Sequence, residues 1–147
     1  MSQFVVGSPP LGVRLNEESG TMISTDAVVK GDVRMIDVSV LSSDLERWTT
    51  MVQTSAAECE YGWFGICVDA SIAAGAQGKW VFVSHDVYAK LNTNAAQGNP
   101  LIVRTTNGDL TSAATVGMKI VGRSKNASTG VQRISFDGWN GFGKHKA

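Results

Sequence analysis

The sequence is poor in the side chains that usually do chemistry. It has two histidines and two cysteines in 147 residues. His145 lies in the stretch Lys144-His145-Lys146 near the end, where a solvated terminus is the expectation. His85 stands in Ser84-His85-Asp86, which offers the three residue types of a hydrolase triad. Consecutive residues of an extended segment face opposite sides, so they cannot converge as nucleophile, base and orienter. A polar hairpin turn is the expected role of this tripeptide. Cys59 and Cys67, with seven residues between them and no nearby pair of histidines, fit no zinc spacing and make no disulfide framework. Both are read as small buried apolar residues of a reduced setting. Asp26, Asp32, Asp37 and Asp44 are scattered and lack a calcium-loop pattern. Gly75-Ala76-Gln77-Gly78-Lys79 is not a phosphate loop, because position 73 is alanine and Trp80 stands where Ser or Thr would hold magnesium. No group offers matched acid and base roles, so the expectation is a protein that is not an enzyme and takes no cofactor and no metal.

Charge of one sign is lacking as well. Thirteen basic and thirteen acidic residues give a formal net charge of zero. A neutral chain has no long-range field for polyanions, and low net charge favours self-association. Arg104, Lys119, Arg123, Lys125 and Arg133 could form a mildly basic strip, but such strips are usually solvated, and no nucleic-acid partner is expected. No apolar run approaches the ~20 residues needed to cross a bilayer, so no membrane partner is expected either. Asn126-Ala127-Ser128 is a glycosylation sequon that carries meaning only in a secreted chain, and nothing reads as a signal peptide.

What is present is glycine, at 16 residues against 3 prolines, and four tryptophans: Trp48, Trp63, Trp80 and Trp139. Dispersed glycine marks tight turns between short strands, and tryptophan supplies large areas for a core or an interface. Residues 1–25 read as an extended arm: Pro9-Pro10 and Gly7, Gly12 and Gly20 break any regular pattern, with room for a short strand at Val13 to Leu15. Phe4, Val5 and Leu11 make a purely solvated tail a poor description, so the arm is expected to lie on a neighbouring subunit. Residues 26–147 read as a single β-rich domain.

Lys30-Gly31-Asp32 is a turn that starts a strand with near-alternation through Val33, Met35, Ile36, Val38 and Val40. Residues 41–53 read as one short helix, with Ser43 and Glu46 as a capping box and Leu45, Trp48 and Val52 at helical spacing. Further strands are expected at Tyr61 to Val68, Lys79 to Val83, Val87 to Leu91, Leu101 to Thr105, Lys119 to Val121 and Val131 to Phe136. Turn chemistry separates them, and Asn107-Gly108 is a hairpin signal. Ala73-Ala74-Gly75 before one strand echoes Ala95-Ala96-Gln97-Gly98 before another, which suggests two equivalent turns feeding two equivalent strands. The expected fold is all-β, a small β-barrel or β-sandwich, with one short helix and the N-terminal arm.

From Val28 onward the order of pieces resembles the small decoration, or cement, proteins of tailed-phage capsids. The resemblance rests on Lys30-Gly31-Asp32-Val33, Gly65 to Val68, Ser71 to Gly75, Lys79 to Val83, Ala95 to Leu101, Thr106-Asn107-Gly108-Asp109-Leu110, Ile120 to Ser124 and Val131 to Phe136. It covers roughly residues 28–136; the helix and the long arm depart from it. It implies a trimer made in the host cytoplasm and seated on the outer capsid of the virion, where it bridges neighbouring major capsid proteins and stabilises the shell. Phe4, Val5 and Leu11 of the arm, with Trp139 and Phe142 of the aromatic tail, are the expected interface anchors, because such rings are costly to leave in water. A different class remains open: a carbohydrate- or receptor-binding β module on a phage head or tail, with Trp63, Trp80 or Trp139 as stacking platforms.

Overall fold

The computed structural model describes residues 17–37, 49–54, 62–104, 108–112, 118–125 and 128–143. Phe4, Val5, Leu11 and the strand expected at Val13 to Leu15 lie outside the described residues. Within them the chain is all-β. Eleven strands run in chain order: β1 (Glu18–Ser24), β2 (Val28–Val29), β3 (Val33–Ile36), β4 (Thr50–Val52), β5 (Phe64–Cys67), β6 (Ser71–Ile72), β7 (Gln77–Ala95), β8 (Pro100–Val103), β9 (Leu110–Thr111), β10 (Gly122–Ser124) and β11 (Ser128–Asp137).

Nine of them form one sheet in the order β1-β4-β3-β5-β7-β11-β10-β8-β9, and β2 pairs with β6 beside it. The sheet is not a closed barrel. Its two outer strands instead turn back to the long strand in the middle, β1 pairing with the first part of β7 and β9 meeting it at Leu91. β7 thus serves both halves: Gln77 to Val83 pair with β1, while Val83 to Ala95 pair with β11.

The core follows from this arrangement. Every residue of β3 and β5 is buried, as is the run Trp80 to Ser84. Strands covered on both faces read as continuous apolar runs, which is why VRMI, FGIC and WVFV show little alternation. The side chains still alternate between two clusters. Val33, Met35, Phe64, Ile66 and Val81 point into one, with Leu101, Leu110, Ile134 and Phe136. Ile36, Cys67, Trp80 and Phe82 point into the other, with Met22, Met51 and Ile72. Each fully buried side chain of this size is worth roughly 1.5–3 kcal/mol relative to exposure.

Three expectations need correction. The helix at 41–53 fails where it can be checked: no described residue is helical, and Thr50–Val52 form β4. Met35 and Ile36 pair with Val52 and Met51, and β1 runs parallel on the other side. Two ladders, together with the β-branched Thr49, Thr50 and Val52, outweigh the local capping pattern. The boundary of the arm at residue 25 also moves, since Glu18–Ser24 is a sheet strand with six residues in register with β7. Finally, Ser84-His85-Asp86 is no hairpin turn. It lies inside β7, where the register with β11 slips between Ile134↔Val87 and Phe136↔Ser84. The Ser84 hydroxyl accepts the Asp86 N–H at 3.1 Å and satisfies a group that the bulge removes from the ladder. The strands expected at 79–83 and 87–91 are therefore one.

The paired turns are present. Ala76 N donates to Ala73 O, and Asn99 N donates to Ala96 O, both at 3.0 Å; the third residue of each turn, Gly75 or Gly98, has φ near +80° (81° and 85°). Such turns need positive φ at that position, which glycine adopts without strain. Each turn also clasps a serine. Gly75 N donates to Ser24 O and Gly98 N to Ser124 O, both at 2.7 Å, while the serine N–H groups return to Ala76 O and Asn99 O. The same device thus launches β7 beside β1 and β8 beside β10.

Cys67 is fully buried, and desolvation pushes its thiol up from 9.0 to about 11. In a Cys59→Ser variant, no thiol should react with a disulfide reagent at pH 8 until denaturant unfolds the chain. The sign for stability follows: the folded state holds its proton where the unfolded chain loses it, so stability should fall as pH rises from about 9 to about 11. A Cys67→Ala variant, whose stability curve should be flatter there, checks this by denaturation at several pH values.

Candidate interaction surface

The C-terminal segment after β11 is irregular, yet it is held at nearly every residue. The Asp137 carboxylate accepts the N–H groups of Trp139 and Asn140, both at 3.0 Å, which curls the chain as it leaves the strand. Gly138 N donates to Phe82 O at 2.7 Å, and Phe64 N donates to Gly138 O at 3.1 Å. Phe142 N donates to Ile120 O and Ile120 N to Gly143 O, a short antiparallel exchange.

Lys119 completes the attachment from below. It is buried, and its ammonium donates to Gly62 O at 2.9 Å, Gly138 O at 3.1 Å and Trp139 O at 2.6 Å, with the Phe64 ring beside it. An ammonium has three donors, and here three carbonyls take them. Burial lowers its pKa, and nearby Asp137 opposes the shift.

These bonds set three aromatic rings against one another. Trp139 stacks on Phe82 with centroids 4.7 Å apart, and Trp63 meets Trp139 edge-on at 6.0 Å. The Trp139 indole N–H donates to Glu18 Oε1 at 2.6 Å. Trp63 and Phe142 are each 37% exposed, which for side chains of this size leaves a substantial apolar surface in water.

Of the anchors expected from sequence, Trp139 is half-buried, packed against the second core cluster and folded back onto its own sheet. Phe142 is exposed. Trp80, a candidate stacking platform, is fully buried and unavailable to a ligand. The basic strip does not exist as a free surface. Arg104 forks onto Asp109, Lys119 lies in its carbonyl cage and Arg123 donates to Gly98 O; Lys125 donates to His85 O, and Arg133 forks onto Asp86. The Arg133 guanidinium holds the Asp86 carboxyl below the usual carboxylate range. Ser84 lies buried while His85 and Asp86 face solvent, and the Ser84 hydroxyl is engaged with the backbone of Asp86.

Sequence reasoning missed two participants. Lys119 was grouped with solvated cations, though its place between Met118 and the apolar pair Ile120-Val121 is a signal for burial. Glu18 was assigned to an irregular arm, and its bond to a residue 121 positions away has no local signature.

No protein-family model and no curated protein matches this sequence. The fold is similar to the crystal structure of the head fiber gp8.5 N base in bacteriophage phi29, at a TM-score of 0.56 and 11% sequence identity. The likeness covers 87% of this chain and 100% of that one. It is a likeness of fold, carried by the strand arrangement and not by shared residues.

Proposed function

We propose that this protein is a structural component of a phage head. In this reading it is a decoration protein that assembles as a trimer, seats on the outer capsid and bridges neighbouring major capsid proteins. The observation that carries the reading is the fold similarity over 87% of the chain to a base domain of a phage head fibre. The pattern of turns from Lys30 to Phe136 supports it independently, because it resembles the cement proteins. The physical logic agrees: a clamp needs a rigid sheet and apolar anchors, not matched acids and bases. The arm residues Phe4, Val5 and Leu11, with Trp139 and Phe142, remain the proposed contact residues.

Purified protein added to capsids of the encoding phage that lack it should bind saturably, in hundreds of copies per shell, and raise the temperature at which the shell opens. Light scattering should give a trimer in solution or on the shell. Absence from purified particles, together with no binding to the bare shell, would overturn the reading. The alternative glycan-binding module would show itself as quenching of tryptophan fluorescence by sugars without capsid binding.

A further inference from the structure

The aromatic surface at the C-terminal end of β11 has a charge pattern that restricts what can cover it. Trp63 lies beside Trp139, and Glu18 is bonded directly to the Trp139 indole. Glu17 follows the same strand edge outward, with its carboxylate 3.4 Å from Ser84 Oγ. Asp37 sits next to Ile36, whose N–H donates to Trp63 O at 2.8 Å. Asp137 lies under the turn that carries Trp139. The cation set into this region, Lys119, is buried beneath it with its three donors spent on carbonyls. Among the described residues, the rings are therefore bordered by carboxylates, with no lysine or arginine head beside them at the surface.

We infer that Trp63 is the central anchor of a docking surface whose occupant is a segment of the major capsid protein combining apolar side chains with arginine or lysine. This rests on the capsid reading above and names the chemistry of the contact. Two features make the surface suited to it. An exposed indole next to carboxylates offers stacking to an aliphatic chain or a guanidinium and an ion pair to its head at the same time. The rings are also preorganised, since Phe82, Glu18 and the Lys119 cage already fix Trp139 and so seat Trp63 edge-on against it. Little side-chain freedom remains to be lost on binding. Trp63 is the better anchor than Trp139 because one face of Trp139 is already stacked on Phe82.

The test measures binding of the full-length protein to bare capsids of the encoding phage, with thermal melting of the free protein alongside. Trp63→Ala should weaken binding about tenfold or more, as anchors at protein interfaces do, and leave the melting temperature nearly unchanged. Glu17→Lys, which leaves the Trp139 bond intact, should weaken binding at low salt and do so less at high salt. Tyr88→Ala, on the exposed ring that sits under Lys30, is the control and should leave binding as it was. If Trp63→Ala and Glu17→Lys both bind like the native protein, the surface assignment is wrong while the capsid reading stands. If the native protein does not bind, the capsid reading fails first. A concentration-dependent rise in mass that Trp63→Ala abolishes would assign the surface to a second copy instead. Protection of Trp63 from iodide quenching that is lost on deleting residues 1–16 would assign it to the chain's own N-terminal segment. Either outcome overturns the inference.

Discussion

Replacing Gly138 with alanine should destabilise the free protein by about 3 kcal/mol or more, at the upper end of overpacking costs. A Cβ at this position would sit 1.9 Å from the carbonyl oxygen of Phe64 and 2.8 Å from its carbon, and 3.0 Å from the Phe136 ring. The first two obstacles are backbone, so relief cannot come from a rotamer change. β5 would have to part from the end of β11, breaking the bond from Phe64 N to Gly138 O and straining the bond from Gly138 N to Phe82 O. Chemical denaturation of Gly138→Ala should show a lower midpoint with an unchanged slope. A loss below about 1 kcal/mol would mean that the junction of β5, β7 and β11 is slack, contrary to the packing described here.

Lys119→Met should cost about 2–4 kcal/mol, although methionine keeps most of the side-chain volume. The substitution strands Gly62 O and Trp139 O and removes one of two partners from Gly138 O. A buried carbonyl left without a donor costs roughly 1–3 kcal/mol, and water entering the opened site recovers part of it. The diagnostic readout is local. Hydrogen exchange at Phe142 and Ile120 should accelerate more than exchange at Val33 or Ile66, because the tail detaches before the sheet does. Arginine at the same position should fail to rescue, since a planar fork does not match three carbonyls converging on one point. Uniform acceleration across the sheet would argue that Lys119 acts through general packing instead of through the tail.

How much of this was legible beforehand depended on whether a signal was local. The turns were read correctly because their chemistry is confined to four residues: Gly31, Gly75 and Gly98 all adopt positive φ where the sequence placed turns. The strands at 64–67, 100–103 and 128–137 announced themselves through β-branched and aromatic residues. The expected hairpin across Asn107-Gly108 joins β8 to β9, with Gly108 at φ +71°; Asn107 lies outside the described residues. Failures came where a distant partner decides. Thr50–Val52 became strand because Met35 and Ile36 were waiting on one side and β1 on the other. Ser84-His85-Asp86 stayed extended because β11 passes beside it. At the interaction surface the rings were visible in the sequence, but their arrangement was not. The cage that holds Trp139 joins residues 62, 119 and 138, and no periodicity links such positions.

The use of a single strand by both halves of the sheet also determines how the molecule comes apart. β7 supplies Trp80 and Phe82 to one cluster and Val81, Val87, Ala89 and Leu91 to the other. Neither cluster can be lost while the other remains intact, because pulling β7 from one set of neighbours disturbs the register it keeps with the rest. Val83 faces both Glu18 and Asp137, so the two pairings even meet at one residue. The protein is thus built to unfold in one cooperative step, without a half-folded form that leaves a free sheet edge open to strand-by-strand aggregation. The same economy slows its assembly, since β1 must find a partner some sixty residues away before either cluster closes.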